Sequence, residues 1–366
     1  MTIREINSFL ESWAPAGTAE DYDNVGLLTG RPSQEVNHVL VSLDATEEVV
    51  EEAIDKGCQL IISHHPILFR GIKKLNGQNY VARTIEKAIR NDIALLALHT
   101  NLDNSNTGVN QILSERLGLK TDKLKILRPM KQQLIKLSYF VPKENHEEVL
   151  KAAHKAGGGQ IGKYYDCSFS VEGKGRFTPG EGTDPTLGKI GQPEEVEEFK
   201  VDIIVPLILF DKVLRELKEA HPYEELAYYA NPVSNEWQDK GAGMIGELPN
   251  PMDFDEFVVH VKKCLGLTML KHTKKIKSQV QKIAVCGGAG IFLLPDSIAA
   301  QADILITSDV KYHEFFDADG RIVLMDAGHF ETEQFTSEGI IRKLSAQFPN
   351  IAVRLSETRT NPVFYA

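Results

Sequence analysis

Three short segments of the chain join an apolar run to residues that bind metals or move protons. QLIISHHP places His64 and His65 side by side, IALLALHTNLD carries His99 and Asp103, and RIVLMDAGHFETE carries Asp326, His329 and Glu333. His329 and Glu333 are four apart, so on a helix they leave one face while Glu331 points away. Adjacent His64 and His65 cannot share a face of a regular element, but at a strand end they can address two ions on either side of the backbone. Imidazole and carboxylate without thiolate suit zinc, manganese, iron or a similar divalent ion. Two such ions about 3.5–4 Å apart, bridged by a carboxylate, form a hydrolytic centre that lowers the pKa of water to about 7. Each segment alone is weak, because HH pairs and HxxxE pairs are common on surfaces. Their weight comes from all three following an apolar strand, where open α/β sheets bind ligands.

The elements that must position these groups alternate in type. Thr2 and Glu5 match a capping box ahead of a helix ending near Trp13. His38–Leu43, Gln59–Ser63 and Ile93–Leu98 read as strands, separated by a Thr46-capped helix that stops at Gly57 and by a helix over Tyr80–Arg90. Repeated βαβ units predict a largely parallel sheet, with the three segments converging on one edge. The character changes near Arg128 and again near Asn235. Between them a strand (Leu134–Val141), a helix (His146–Ala156), a glycine-rich stretch read as a long loop (Gly157–Gly191), a strand (Val201–Pro206), a helix (Lys212–Ala220) and a strand (Ala227–Ala230) suggest a small ferredoxin-like or PII-like α+β module. The βα rhythm returns with a helix over 254–265 and strands Lys282–Cys286, Ile304–Thr307 and Ile322–Met325. One helix from about Thr332 to Gln347 and a strand over Ile351–Leu355 complete it. The expected fold is therefore α/β: a discontinuous two-part metal-binding body, residues 1–127 and 236–366, with an inserted α+β domain over 128–235.

Composition bounds the function. The net charge of −10 argues against a general nucleic-acid binder. No apolar run approaches the ~18 residues of a membrane span. The N-terminus lacks a signal-peptide core, and the four scattered cysteines lack a CxxC pair, so a cytoplasmic protein is expected. Weaker features are CGGAG (Cys286–Gly290), whose amides suit an anion or simply a tight turn, and Asp309, Lys311 and His313, candidates for supporting or substrate contacts. HPYEE (His221–Glu225) reads as a polar turn, and Cys286 as a core residue.

SHHP, HTNLD and DAGHFETE, with DYDNVGLLTG (Asp21–Gly30) and the LDAT that follows the strand at 38–43, resemble the dinuclear metal-binding family of GTP cyclohydrolase 1 type 2 homologs, related to NGG-interacting factor-like proteins. The resemblance spans nearly the whole chain, in the longer bacterial form with a PII/CutA-like insert. It implies His64, His65, Asp103, His329 and Glu333 as ligands of two divalent ions per chain, zinc first and manganese or iron as alternatives, with Glu333 bridging. His99 matches a residue at the site, and His99 or Glu331 would handle the proton in catalysis. Two departures are Tyr22 where the family often has Trp, and Met244 where it often has Arg. The family name implies hydrolytic opening of a purine nucleotide, although no residue here reads guanine. The expected function is a metal-dependent hydrolase acting on a nucleotide or related small molecule; the alternative is a non-catalytic metal- or ligand-binding regulator. The resemblance further implies a homo-oligomer, a hexameric toroid built from trimers.

Overall fold

Thr2 opens the first helix, α1 (Ile3–Trp13). Its hydroxyl accepts from the Glu5 amide while the Glu5 carboxylate accepts from the Thr2 amide, and Ile3, Ile6 and Leu10 bury the apolar stripe. The computed structural model describes residues 1–365 and divides into two units, Met1–Arg128 together with the chain from Lys240 onward, and Pro129–Asp239.

In the first unit the chain continues through β1 (Gly26–Thr29), β2 (His38–Ser42), α2 (Glu47–Asp55), β3 (Leu60–Ser63), α3 (Tyr80–Arg90), β4 (Ala94–Ala97), α4 (Thr100–Asp103), α5 (Val109–Arg116) and β5 (Lys125–Met130). The second unit holds β6 (Leu134–Pro142), α6 (His146–Ala156), β7 (Ser168–Phe177), β8 (Glu194–Pro206), α7 (Phe210–Ala220) and β9 (Tyr228–Val233). The chain then returns through β10 (Trp237–Asp253), α8 (Phe254–Leu265), β11 (Lys271–His272), β12 (Gln279–Ala289), α9 (Leu294–Ala299), β13 (Ile304–Ser308), β14 (Val323–Asp326), α10 (His329–Glu333), α11 (Thr336–Gln347) and β15 (Ala352–Leu355).

The first unit contains two sheets, not one. The first has the order β1-β4-β3-β2-β15, parallel except for β1; the second has the order β11-β14-β13-β12-β10-β5, with β12, β13 and β14 parallel. Strands β3 (LIIS) and β4 (ALLA) are buried at every position, which is why they read as continuous apolar runs without alternation. Both faces of each sheet are covered by apolar clusters. The expected single edge is therefore two edges. His64, His65, His99 and Asp103 follow β3 and β4 of the first sheet, whereas His329 and Glu333 follow β14 of the second. Sheet membership is decided by pairing across more than 200 residues of chain, which βα periodicity cannot reveal.

Two further differences have local causes. The expected helix over 332–347 is two helices, α10 and α11, separated at Gln334–Phe335, so the His329–Glu333 pair occupies a five-residue helix of its own. The glycine-rich stretch contains β7, whose residues are exposed at most positions and interrupted by Gly173 and Gly175. It lacks the alternation that marks a strand, and its order comes from pairing with β8 over ten registered positions. The second unit is an antiparallel sheet of order β7-β8-β6-β9 around its own core, including Leu137, Tyr139, Val149, Val201 and Leu217.

Candidate metal centre

Each of the five expected ligands leaves an element end that points it inward. His64 and His65 end β3, where the His64 amide donates to Ser42 O and the His65 amide to Leu43 O, so the backbone is still paired as the side chains diverge. Asp103 closes α4, and His329 and Glu333 lie one turn apart on α10, with Nε2 and Oε2 3.1 Å apart. Their side chains form two groups that share Glu333. His64 Nε2 lies 3.7 Å from Asp103 Oδ1 and 3.8 Å from Glu333 Oε1; His65 Nε2 lies 3.0 Å from Glu333 Oε2 and 3.3 Å from His329 Nε2. One oxygen of Glu333 thus faces each group. Two ligand atoms at the ordinary zinc distance on a tetrahedral ion are about 3.3 Å apart, so these separations fit a shared cation. His64 Nε2 and Asp103 Oδ1 are buried with no hydrogen-bond partner among the described residues, an arrangement that is costly unless a cation occupies the space they face. The His and Glu groups can therefore hold a metal ion.

The far side of each imidazole is anchored. His64 Nδ1 donates to Leu98 O at 2.7 Å, and His65 Nδ1 pairs with Asp44 Oδ1 at 2.7 Å. His329 Nδ1 pairs with Asp309 Oδ2 at 2.5 Å. Such partners set the tautomer that leaves Nε2 facing inward. Burial alone would lower the His65 pKa, but the Asp44 and Glu333 carboxylates push it up to about 10. His329 shows the same balance and is pushed up to about 9 by Glu333 and Asp309. Burial, reinforced by the Glu333 charge, pushes Asp103 up, whereas the three surrounding imidazoles hold Glu333 well below the usual carboxylate range against its own burial. These opposed shifts follow from gathering carboxylates and imidazoles in one buried space.

His99 stands beside this cluster. It forms a third donor group with His64 and His65, its ring centroid 5.3 Å from that of His64, and its Nδ1 is held by Asp23 Oδ1 at 2.8 Å. The Asp23 side chain is buried, yet hydrogen bonds from His99 and Thr100 hold its carboxyl well below the usual range. An ionised Asp23 takes the Nδ1 proton bond and leaves His99 Nε2 available. Glu331 is not among the donor groups. Its Oε1 accepts from Asn361 Nδ2 at 3.1 Å, and it lines a cavity of about 450 Å³ together with His65, His329 and Lys271. Asp326 is also outside the cluster, paired with Lys271 at 2.5 Å.

CGGAG is neither an anion loop nor a tight turn. Its residues Cys286–Ala289 are the end of β12, at an irregularity between Val285 and Ala289, and Gly290 follows the strand. Its amides are already engaged: Gly287 N donates to Asn110 Oδ1, Gly288 N to Thr332 Oγ1 and Gly290 N to Thr307 Oγ1. Its glycines serve the site differently. A Cβ on Gly288, whose φ is +61°, would stand 2.2 Å from Glu333 Oε1, and one on Gly287 would stand 3.3 Å from Glu333 Cγ. The sequence singled out CGGAG for its amides and not for this role beside Glu333, and it assigned no role to Asp23, Asp44 or Asn110, although the first two lie inside the DYDNVGLLTG and LDAT motifs. Only Asp309 carried a signal, as a candidate supporting contact. Met244 is buried in the apolar core of the second sheet, and Cys286 is buried with its thiol pushed up by desolvation.

The chain matches the Duf34/NIF3 (NGG1p interacting factor 3) family over residues 1–362. It is 39% identical over 342 residues to a protein of Halalkalibacterium halodurans named "GTP cyclohydrolase 1 type 2 homolog", covering 93% of this chain and 91% of that one. A protein of the same name from Bacillus subtilis is 36% identical over 365 residues, covering 98% and 97%. A Bacillus cereus crystal structure described as a protein related to NIF3 superposes with a TM-score of 0.86 at 37% identity, covering 100% of this chain and 99% of that one.

Proposed function

Since the chain belongs to the Duf34/NIF3 family, we propose that its body is a dinuclear divalent-metal centre and that it hydrolyses a nucleotide or related small molecule. His64, Asp103 and Glu333 hold one ion, and His65, His329 and Glu333 the other, with zinc first and manganese or iron as alternatives. The observation that carries this reading is the pair of buried, unpartnered atoms, His64 Nε2 and Asp103 Oδ1, facing a carboxylate whose second oxygen serves a second group. The ions would supply Lewis-acid activation of water and of an electrophilic substrate.

The chain's own residues do the rest. Asp44, Asp309 and Leu98 O orient the imidazoles; Asp23 holds His99 so that its Nε2 can take or return a proton at the cleft; Glu331 is the weaker candidate for that task. The cavity beside His65 and His329 admits the substrate, with Lys271 on its wall. The name shared by the curated relatives supports a nucleotide substrate. The inserted unit, with its β-α-β-β-α-β order and antiparallel sheet β7-β8-β6-β9, supports a ferredoxin-like module, and a hexameric assembly in the cytoplasm completes the proposal.

Elemental analysis of protein purified without added metal, beside His64→Ala and Glu333→Gln, tests it. The expected result is two ions per chain in the wild type, one or fewer in His64→Ala and neither retained in Glu333→Gln. A wild type that stays empty after reloading with zinc, manganese or iron overturns the metal centre. A loaded protein that turns over no nucleotide leaves the non-catalytic regulator, a reading favoured by the separate cavity of the inserted unit.

A further inference from the structure

The inserted unit has a cavity of about 480 Å³ that the metal chemistry does not use. That volume lies within the range of small-molecule sites. Its wall carries Glu198 of β8, only 6% exposed, a carboxylate that forms no ion pair with any described residue. The Tyr223 hydroxyl donates to Glu198 Oε1 at 3.0 Å, the single hydrogen bond its side chain makes among the described residues. Tyr223 is itself placed by His221, which is buried, accepts from the Tyr223 amide at Nδ1 and donates from Nε2 to Phe140 O. The HPYEE segment is thus a fixed turn that aims a phenol at a buried carboxylate. Gly175 leaves room for that carboxylate, since a Cβ there would stand 2.0 Å from Glu198 Oε2.

Four aromatic rings share the wall with threonine, proline and glycine residues and Leu187. Phe177 lies 5.9 Å from Tyr223 and Phe140 lies 5.7 Å from Tyr229, ring centroid to centroid, and all four line the cavity. Arg176, the one cationic side chain on the wall, is held by Glu195 through Nε and Nη2 at 2.8 and 2.6 Å. Glu224 and Glu225 add further negative charge. Burying a carboxylate without a counter-charge is costly, and aromatic faces attract cations. A metal is not the partner these residues fit, because the groups of three metal donors among the described residues all lie in the body. An anion would meet an acidic wall, and a neutral apolar ligand would leave Glu198 uncompensated.

We propose that this cavity binds a small organic cation, an ammonium group carried on an apolar body, with the charge against Glu198 and the body among Phe140, Phe177, Tyr223 and Tyr229. The site is independent of the metal centre. The test titrates the full-length protein with phenethylammonium and with phenylacetate, of nearly the same size and opposite charge, by calorimetry or ligand-observed NMR. Phenethylammonium is expected to bind at least about tenfold more tightly than phenylacetate, and Glu198→Gln to weaken it by about tenfold or more. Phe177→Leu, at a half-buried wall position, is expected to weaken it about threefold. Prior treatment with a chelator leaves binding unchanged. Equal binding of the two probes, no binding of either, or loss of binding on chelation overturns the proposal. So does unchanged affinity in a folded Glu198→Gln variant. If that variant does not fold, the comparison of the two probes on wild-type protein still decides.

Discussion

A methyl group at position 288 would collide with the carboxylate on which both donor groups depend. Gly288→Ala places Cβ 2.2 Å from Glu333 Oε1 in a backbone of φ +61°, a conformation that costs a residue with a side chain about 1–3 kcal/mol. The variant is expected to lose bound metal as fully as Glu333→Gln and to unfold at a lower temperature, measured by elemental analysis and thermal melting. Retention of two ions would show that Glu333 does not bridge from this position. Asp309 and Asp44 act at one remove, through His329 and His65. Converting either to Asn removes a charged acceptor from the imidazole, and zinc affinity is expected to fall roughly ten- to a hundredfold in competition with a chromophoric chelator. At this scale the sequence was informative about residue type: every donor in the two Glu333 groups belongs to a motif visible in one line of sequence. It was silent about Asn110 and about how Gly287 and Gly288 are used, because a glycine's use depends on what approaches its missing Cβ.

The elements around the centre are tied by side chains that cross between them. Asn110 of α5 accepts from Gly287 N of β12 at 2.9 Å and donates to Asp103 O at the end of α4 at 3.0 Å. Asn110→Ala leaves the buried Gly287 amide and the part-buried Asp103 carbonyl without this partner, at a cost of about 1–3 kcal/mol for the amide. A lowered thermal midpoint together with reduced metal content would report the tie; an unchanged midpoint would show that the two groups find other partners. A second tie holds the chain after β15 against α2, where Glu52 accepts from Lys56 Nζ, Ser356 Oγ and the amides of Glu357 and Thr358. Burial opposes the charge there, but these donors hold the Glu52 pKa at about 2, below its ordinary 4.5. A depressed carboxyl pKa stabilises the fold fully above the ordinary value and loses that contribution as pH falls through the folded value. The gap in thermal midpoint between wild type and Glu52→Gln is therefore expected to be widest above pH 4.5 and to close as pH falls towards about 2. A gap independent of pH would show that Glu52 acts by packing. Most helices and buried strands were legible from periodicity and caps, as α3 over Tyr80–Arg90 and α8 over 254–265 illustrate. β7 was not, because its order is borrowed from β8.

At the scale of the molecule, the second unit begins and ends on neighbouring strands. β6 and β9 are antiparallel partners with Leu134 opposite Val233, so the first and last strands of the unit lie about 5 Å apart at that pair. β5 and β10, which carry the chain out and back, are also neighbours in the second sheet of the body. Replacing residues 129–239 by a short glycine-serine turn is accordingly expected to leave a folded body with its full metal content, checked by circular dichroism and elemental analysis. A body that fails to fold would show that its stability depends on the insert. Sequence by itself marked the three segments that carry the donors, the strand ends before them and the alternation of strands and helices, because side-chain chemistry and apolar periodicity are local properties. Only the tertiary structure decided that the body has two sheets with facing edges, that Glu333 offers one oxygen to each group, and that glycines of a distant strand make its seat. These depend on which strands pair and which groups are buried together, and burial is a property of the whole chain rather than of any segment.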